Sequence, residues 1–184
     1  MDSNVSEVQH KSVDPILIAA IRMTGKYSDA GNGFSLLGRK FGRHICGHAM
    51  MLHHDSEHKE TDANYEVCMP VRKGESTEKI EVRELTGGQC TSLIHTGPYD
   101  QIGPAYEKIT EFAQQHKHQI TLPTRKVYLK GPGMIFKGNP QKYVTEIQML
   151  IANPKNLRGQ IAEVVSMRPS DRKENNRLPS KHQV

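Results

Sequence analysis

Two glutamates at matching places in two similar strands are the residues best suited to chemistry. Glu66 lies in YEVCMPV (65–71), and Glu146 lies in YVTEIQMLI (143–151). A carboxylate taken out of water costs free energy unless it meets a cation or holds its proton. Two such groups in one cavity would favour a cationic ligand or acid–base chemistry. The alternative is that both lie on a solvated sheet face, where strand glutamates are common.

The period-two alternation of a strand decides where these carboxylates point. The neighbours of Glu66 and Glu146 in each strand would pack beneath a helix, so both glutamates, together with Gln148, point to the opposite face. We expect that face to form a groove between two halves of the molecule. Tyrosines, with apolar bodies and polar tips, would complete a pocket for a flat, lipophilic cation.

Two amphipathic helices are predicted to cover the sheet. In the first, Ala30, Phe34, Leu37 and Phe41 recur at helical spacing. The second follows the Gly97-Pro98 turn, with Asp100 as its expected N-cap. Its apolar stripe consists of Ile102, Ala105, Tyr106, Ile109, Phe112 and Ala113.

Seven segments have the apolar content and alternation of strands. They are residues 15–23, 48–54, 65–71, 78–84, 90–95, 125–130 and 143–151. The order of elements is strand, helix, strand, strand in each half of the chain. An α+β protein is therefore predicted.

The two halves also share short sequence matches. TGKY at 24–27 corresponds to TGPY at 96–99 with an offset of 72 residues, and EVCM at 66–69 corresponds to EIQM at 146–149 with an offset of 80. We interpret these matches as an internal duplication, with chance as the alternative. One half has too little core to stand alone, so the two sheets would join around a shared groove.

Composition restricts the class of protein. The chain has 184 residues, a formal charge of +5 and 35% apolar residues. No apolar run approaches the roughly 20 residues of a membrane span, and no signal peptide begins the sequence. We expect a cytoplasmic protein without a membrane partner.

The ends of the chain are polar. Residues 1–14 are expected to be flexible, 152–167 to form a short C-terminal extension and 168–184 to form a disordered basic tail. The folded part would then be 15–151, with repeat halves at about 15–74 and 78–151.

Candidate metal ligands are His44, Cys46 and His48, whose spacing of two would place them on one face of a strand. Gly42 and Gly47 interrupt that strand, so a common orientation is not expected. We predict no metal and no cofactor.

The sequence resembles the GyrI-like small-molecule-binding family, which includes effector-binding domains of AraC-type and MerR-type multidrug regulators. The residues that carry the resemblance are HTGPYDQIGPAYEKI, KVYL and YVTEIQMLI, and it covers residues 15–151. It implies a tandem repeat of two strand-helix-strand-strand units. These would form a curved antiparallel sheet with helices on one side and a central ligand groove.

The resemblance also implies a site. A glutamate of the closing strand anchors cationic ligands in the family, and Glu146 matches it. Tyr99 and Tyr106 lie in the matching turn and helix, and Phe112 stands where many members have tryptophan. By position we add to the predicted site Glu66, Gln148, Tyr65, Tyr128 and Phe136.

The function expected from this resemblance is the binding of hydrophobic, cationic small molecules for sensing or sequestration. Only 14 residues precede the module and 33 follow it, too few for a helix-turn-helix domain, so no direct DNA binding is expected. One alternative is a hydrolase with Glu146 as general base, although the chain lacks the tryptophan of such members. Another is a protein partner, in the manner of a DNA gyrase inhibitor.

Overall fold

A computed structural model describes residues 4–59, 61–132 and 138–152. Within these ranges the chain forms eight strands and two helices. The strands are β1 (Gln9–Val13), β2 (Ile16–Gly25), β3 (Met50–His53), β4 (Ala63–Pro70), β5 (Glu81–Leu85), β6 (Gly88–Thr96), β7 (Thr124–Lys130) and β8 (Val144–Leu150). The helices are α1 (Ala30–Phe41) and α2 (Gly103–Gln115). In the described part of the chain, neither helix has the length and apolar character needed to cross a membrane.

All eight strands join one antiparallel sheet, curled into a half-barrel. The strand order is β1-β6-β8-β7-β3-β4-β2-β5, so β7 and β3 form the central pair. The order is symmetrical about that pair, because strands at equal distances from the centre differ by four in number: β7 and β3, β8 and β4, β6 and β2, and β1 and β5. The α+β fold with a curved antiparallel sheet is confirmed; the internal duplication stays a prediction.

The register places both helices on the same side of the sheet. Ile147, Lys126, Met51 and Val67 lie side by side across β8, β7, β3 and β4, and so share a face. Ile147 packs in the cluster beneath α2 and Val67 in the cluster beneath α1. The predicted packing of Val67 and Ile147 beneath the helices is therefore confirmed. We term this face the helix side.

The other face of the sheet, termed the inner side, also buries apolar residues. Its cluster contains Ile18, Leu52, Cys68 and Val127 among others, from strands β2, β3, β4 and β7. Glu66 and Glu146 lie on this side, as the alternation predicts, because each is directly across from a residue of the inner face. The inner side is thus a second packed layer, formed where the sheet curls.

The N-terminal segment 1–14, expected to be flexible, contains strand β1. Its residues pair with β6 from Gln9↔Ser92 to Val13↔Gly88, and Lys108 Nζ donates to the carbonyl of Ser6 at 3.0 Å. The segment looks polar because β1 is an edge strand, where charged side chains are favourable. Each edge strand therefore pairs within the other half of the sheet: β1 pairs with β6, and β5, which directly precedes β6 in the sequence, pairs with β2.

The start of α2 also differs from expectation. A short 3-10 turn at Tyr99–Gln101 precedes it, so Asp100 is not its N-cap; that position belongs to Ile102, which makes no side-chain capping bond. The turn before it requires glycine, since Gly97 has φ of 138°.

The remaining sequence predictions concern residues that the structure does not describe. Phe136 lies outside the described ranges, as do the C-terminal extension and the tail apart from Ala152.

Candidate functional site

A cavity of about 860 Å³ lies on the helix side, where the end of β3 meets the start of β7. We term it the central cavity. One wall is α2 with the segment after it, and the other is the loop that follows β3. Residues that line it include Tyr27, His53, Asp55, Glu57, His58, Tyr99, Asp100, Tyr106, Thr110, His118, Leu122, Thr124 and Met149.

Aromatic rings dominate the wall contributed by the first half of the chain. The ring centroid of Tyr27 lies 5.2 Å from that of His53 and 5.6 Å from that of His58, which it stacks against. The ring of His53 in turn lies 6.4 Å from that of Tyr106 on α2. Flat aromatic surfaces of this kind bind apolar bodies and attract cations to their faces.

The charged residues that line the central cavity are all acidic among those the structure describes. They are Asp55, Glu57 and Asp100, and no lysine or arginine lines it. The carboxylate of Asp55 already has partners within the protein: Lys59 Nζ is 2.7 Å from it, and the Asn64 N–H donates to it at 2.6 Å. These two bonds lower the pKa of Asp55. Glu57 and Asp100 are exposed.

One lysine lies just behind the cavity wall. The Nζ of Lys126 is 5.6 Å from the centroid of the Tyr106 ring, and Ile147 and Met51 flank it on the neighbouring strands. Burial lowers the pKa of Lys126 to about 8. Burial, and next the charge of Lys126, lower the pKa of His53 to about 3, so this imidazole is neutral at physiological pH.

Three polar atoms around the cavity have no hydrogen-bond partner among the described residues. They are Nε2 of His53, the hydroxyl of Tyr106 and Nδ1 of His118, all shielded by their neighbours. The other nitrogen of His53, Nδ1, is 3.4 Å from the Tyr27 hydroxyl. Buried polar groups without partners are rare in folded proteins and are found where a ligand or water binds.

Glu146 and Gln148 do not line the central cavity. They lie on the inner side, where Lys11 Nζ is 2.5 Å from Glu146 Oε1 and Gln148 Nε2 donates to Glu146 Oε2 at 2.9 Å. Only 9% of the Glu146 side chain is exposed. This carboxylate therefore already has a cation of its own chain beside it.

Glu66 has an equivalent arrangement in the other half of the sheet. Arg22 Nη1 lies 2.8 Å from its Oε1, and Arg83 binds its Oε2. Lys11 and Arg83 come from the two edge strands, β1 and β5, and each reaches the glutamate two strands away. The predicted pair of carboxylates exists, but the protein supplies the cations.

The predicted aromatic residues separate into different regions. Tyr65 is fully buried, with its hydroxyl donating to the Lys26 carbonyl at 2.8 Å. Tyr128 packs between Phe34 and Tyr99, with ring centroids 5.8 Å and 5.3 Å away.

Phe112 lies away from the central cavity. It packs against His10 and His116, with ring centroids 5.3 Å and 3.9 Å away. Tyr99 and Tyr106 are therefore the two predicted residues, among those described, that line the cavity.

Sequence reasoning missed Tyr27, His53 and Asp55. Tyr27 could have been found, because the offset of 72 residues that relates the two turns places it over Tyr99. His53 is the last residue of β3 and Asp55 lies in the loop after it, and no spacing rule connects either position with the cavity.

Comparisons with known proteins give a family and a fold. A family model for the GyrI-like small molecule binding domain matches residues 6–152. No curated protein sequence matches the chain. The structure of the EcmrR C-terminal domain is similar, with a TM-score of 0.70 and 21% identity over 80% of this chain and 98% of that one.

Two further solved structures extend this likeness. EcmrR in the EcmrR–DNA complex in EcmrR-RPo gives a TM-score of 0.72 and 20% identity over 80% of this chain, which spans 57% of that protein's length. SAV2435 bound to tetraphenylphosphonium gives a TM-score of 0.54 and 13% identity, with 82% of this chain and 97% of that one covered. At these identities the likeness shows a shared fold.

Proposed function

Because the chain belongs to the GyrI-like family of small-molecule-binding domains, we propose that its central cavity binds hydrophobic, positively charged molecules. The observation that carries this proposal is the lining itself: tyrosine and histidine rings with three carboxylates and, among the described residues, no lysine or arginine. The rings would stack on an apolar body, and the carboxylates would attract its charge.

The dimensions of the cavity support a drug-sized ligand. Its volume of about 860 Å³ falls in the range of roughly 300–1,000 Å³ that is typical of such sites. SAV2435, which has the same fold, was solved with tetraphenylphosphonium, a bulky aromatic cation. A ligand of that chemical class is therefore a reasonable occupant.

We place recognition of the positive charge at Glu57 and Asp100 rather than at Glu146. Glu146 is held by Lys11 on the inner side, whereas Glu57 and Asp100 are exposed at the cavity and form no ion pair among the described residues. Hydrolysis with Glu146 as general base gains no support from this placement. In the cell, the domain would sense or sequester its ligand.

The proposal is tested by titrating the protein with rhodamine B ethyl ester, a flat aromatic cation, and following fluorescence anisotropy. The chain contains no tryptophan, so the dye provides the signal. We expect saturable binding with a dissociation constant on the order of micromolar. No saturable binding up to about 100 μM dye would contradict the proposal.

The double substitution Glu57→Gln/Asp100→Asn tests the charge recognition. Each exposed carboxylate contributes about 0.2–1 kcal/mol, so the affinity should fall by about twofold to thirtyfold, and less in high salt. The matched control is Glu107→Gln/Glu111→Gln, which removes the same charge from exposed positions of α2 outside the cavity. Equal loss in both variants would indicate only a general effect of net charge.

A further inference from the structure

Three groups that can donate hydrogen bonds lie beside the central cavity. Nε2 of His53 and the hydroxyl of Tyr106 are buried without a partner among the described residues, and Nζ of Lys126 lies over the Tyr106 ring. Lys126 Nζ lies 5.6 Å from the centre of the Tyr106 ring, and the rings of Tyr106 and His53 are 6.4 Å apart. We term these three groups the donor cluster.

The protonation state of each member follows from its surroundings. His53 is neutral, because burial and the charge of Lys126 hold its pKa at about 3. If the Tyr27 hydroxyl donates to Nδ1, from which it is 3.4 Å away, the imidazole proton is on Nε2. Burial raises the pKa of Tyr106, which keeps its hydroxyl proton.

Lys126 gives the donor cluster a positive charge. With a pKa of about 8 it is mainly protonated at neutral pH. None of the ion pairs of the described residues involves Lys126. A partly buried ammonium without such a counter-ion is costly, and an anion is the group that removes this cost. Water would satisfy the donors but would leave the charge.

We propose that the donor cluster binds a carboxylate or sulfonate group of the ligand. This inference rests on the proposed function and narrows it: the preferred ligands would be aromatic molecules with a cationic part facing Glu57 and Asp100 and an anionic part facing Lys126. The cavity would then recognise both ends of an amphoteric compound. Such recognition provides orientation as well as affinity.

Access to the cluster requires a local movement. The polar atoms of His53 and Tyr106 are shielded, so the anionic group must enter between their rings. Both residues line the cavity, so a ligand in the cavity would approach the donor cluster from that side. The four-carbon stem of Lys126 is flexible enough to bring its ammonium group to this opening.

The test compares rhodamine B with its ethyl ester, which differ in one carboxylate and share the same aromatic cation. Wild-type protein should bind rhodamine B about tenfold or more tightly than the ester, as expected for hydrogen bonds to a charged group. Lys126→Met should abolish this preference while leaving affinity for the ester unchanged or higher, because a like charge is removed. Lys130→Met, an exposed lysine of the same strand, is the control.

The outcomes separate the two proposals. Equal affinity of wild-type protein for both dyes would overturn the role of the donor cluster and leave the proposed function intact. An undiminished preference in Lys126→Met would do the same. Binding of neither dye would overturn both proposals. If Lys126→Met does not fold, Tyr106→Phe takes its place, and we expect the ratio of the affinities for rhodamine B and its ester to fall several-fold.

Discussion

Tyr106 is the residue at which the parts of the site meet. Its ring forms part of the cavity wall and faces the ring of His53 and the ammonium group of Lys126. Its hydroxyl has no partner in the described chain. Under the proposal, the ring and the hydroxyl would contact different ends of a ligand, and substitution can separate their contributions.

Replacing Tyr106 by leucine should weaken binding of rhodamine B ethyl ester by about fivefold, since an aromatic face contributes about 1 kcal/mol to binding a cation. Tyr106→Phe keeps the ring and should bind the ester as the wild type does. Anisotropy titration of both variants measures the difference. Equal affinities for the leucine and phenylalanine variants would show that the ring does not contact the cation.

His53 should make folding stability depend on pH. Its pKa is about 3 in the folded protein and 6.5 in the unfolded chain, so the unfolded state binds the proton first as the pH falls. Stability is thus highest above pH 6.5 and declines between pH 6.5 and 3. Between pH 7 and pH 5, the pKa difference of this residue should lower the free energy of unfolding by about 2 kcal/mol.

Urea unfolding at pH 7 and pH 5 measures this effect. The wild type should lose about 2 kcal/mol more stability on acidification than His53→Gln does. His58→Gln removes an exposed histidine of the loop that follows β3, and this variant should lose as much stability as the wild type. An equal loss in all three proteins would assign the effect to other groups.

The sequence predicts which residues of a strand share a face but not which face bears the central cavity. Glu66 and Glu146 are on the same side, as the alternation requires. On that side Lys11 and Arg83 reach inward from the edge strands and pair with the two glutamates. Contacts between strands so distant in sequence depend on curvature, which local patterns do not contain.

At the scale of elements, α1 lies unusually close to the sheet. A Cβ atom on Gly33 would be 2.4 Å from Cγ2 of Val67 and 3.0 Å from Sδ of Met23. Glycine has a low helix propensity, so the close packing against β4, and not helix propensity, explains why residue 33 is glycine. The helix can approach β4 closely because this side chain is absent.

Gly33→Ala should therefore destabilise the protein by about 1–2 kcal/mol, since overpacking outweighs the gain of about 1 kcal/mol in helix propensity. Gly31→Ala, in the same helix, has nothing within 4 Å of the new methyl group. It should stabilise by up to about 1 kcal/mol. Urea unfolding of both variants gives the comparison. A stabilising Gly33→Ala would mean that Val67 can move away without cost.

The elements themselves were largely predictable. Apolar periodicity located both helices and seven strands, because each buries a continuous stripe or an alternate face. It failed for β1, whose edge position removes the need for an apolar face, and for Asp100, which lies in a 3-10 turn rather than at a cap.

At the scale of the whole molecule, two ion pairs connect the edges of the sheet to its interior. Lys11 on β1 binds Glu146 on β8, and Arg83 on β5 binds Glu66 on β4. The glutamates are buried, whereas 37% of the Lys11 side chain is exposed. The pairs thus neutralise buried charge at the cost of ordering two long side chains.

Lys11→Met should destabilise the protein by about 1–3 kcal/mol, less than for a fully buried pair because Lys11 is partly solvated. Adding Glu146→Gln should recover part of this loss, since no unpaired carboxylate remains. A double-mutant cycle measured by urea unfolding gives the coupling. Additive effects would show that the pair contributes nothing beyond its separate residues.

The exchange of edge strands gives the molecule an order of assembly. β1 precedes the first half of the sheet but completes the second, and β5 precedes the second half but completes the first. The halves are therefore interlocked, and neither can be cut out with all of its strands. During synthesis β1 leaves the ribosome first, yet its partner β6 is about 80 residues away. β1 can pair only after β6 has been synthesised, and the Lys11–Glu146 contact can form only after β8, so it forms when the sheet is nearly complete.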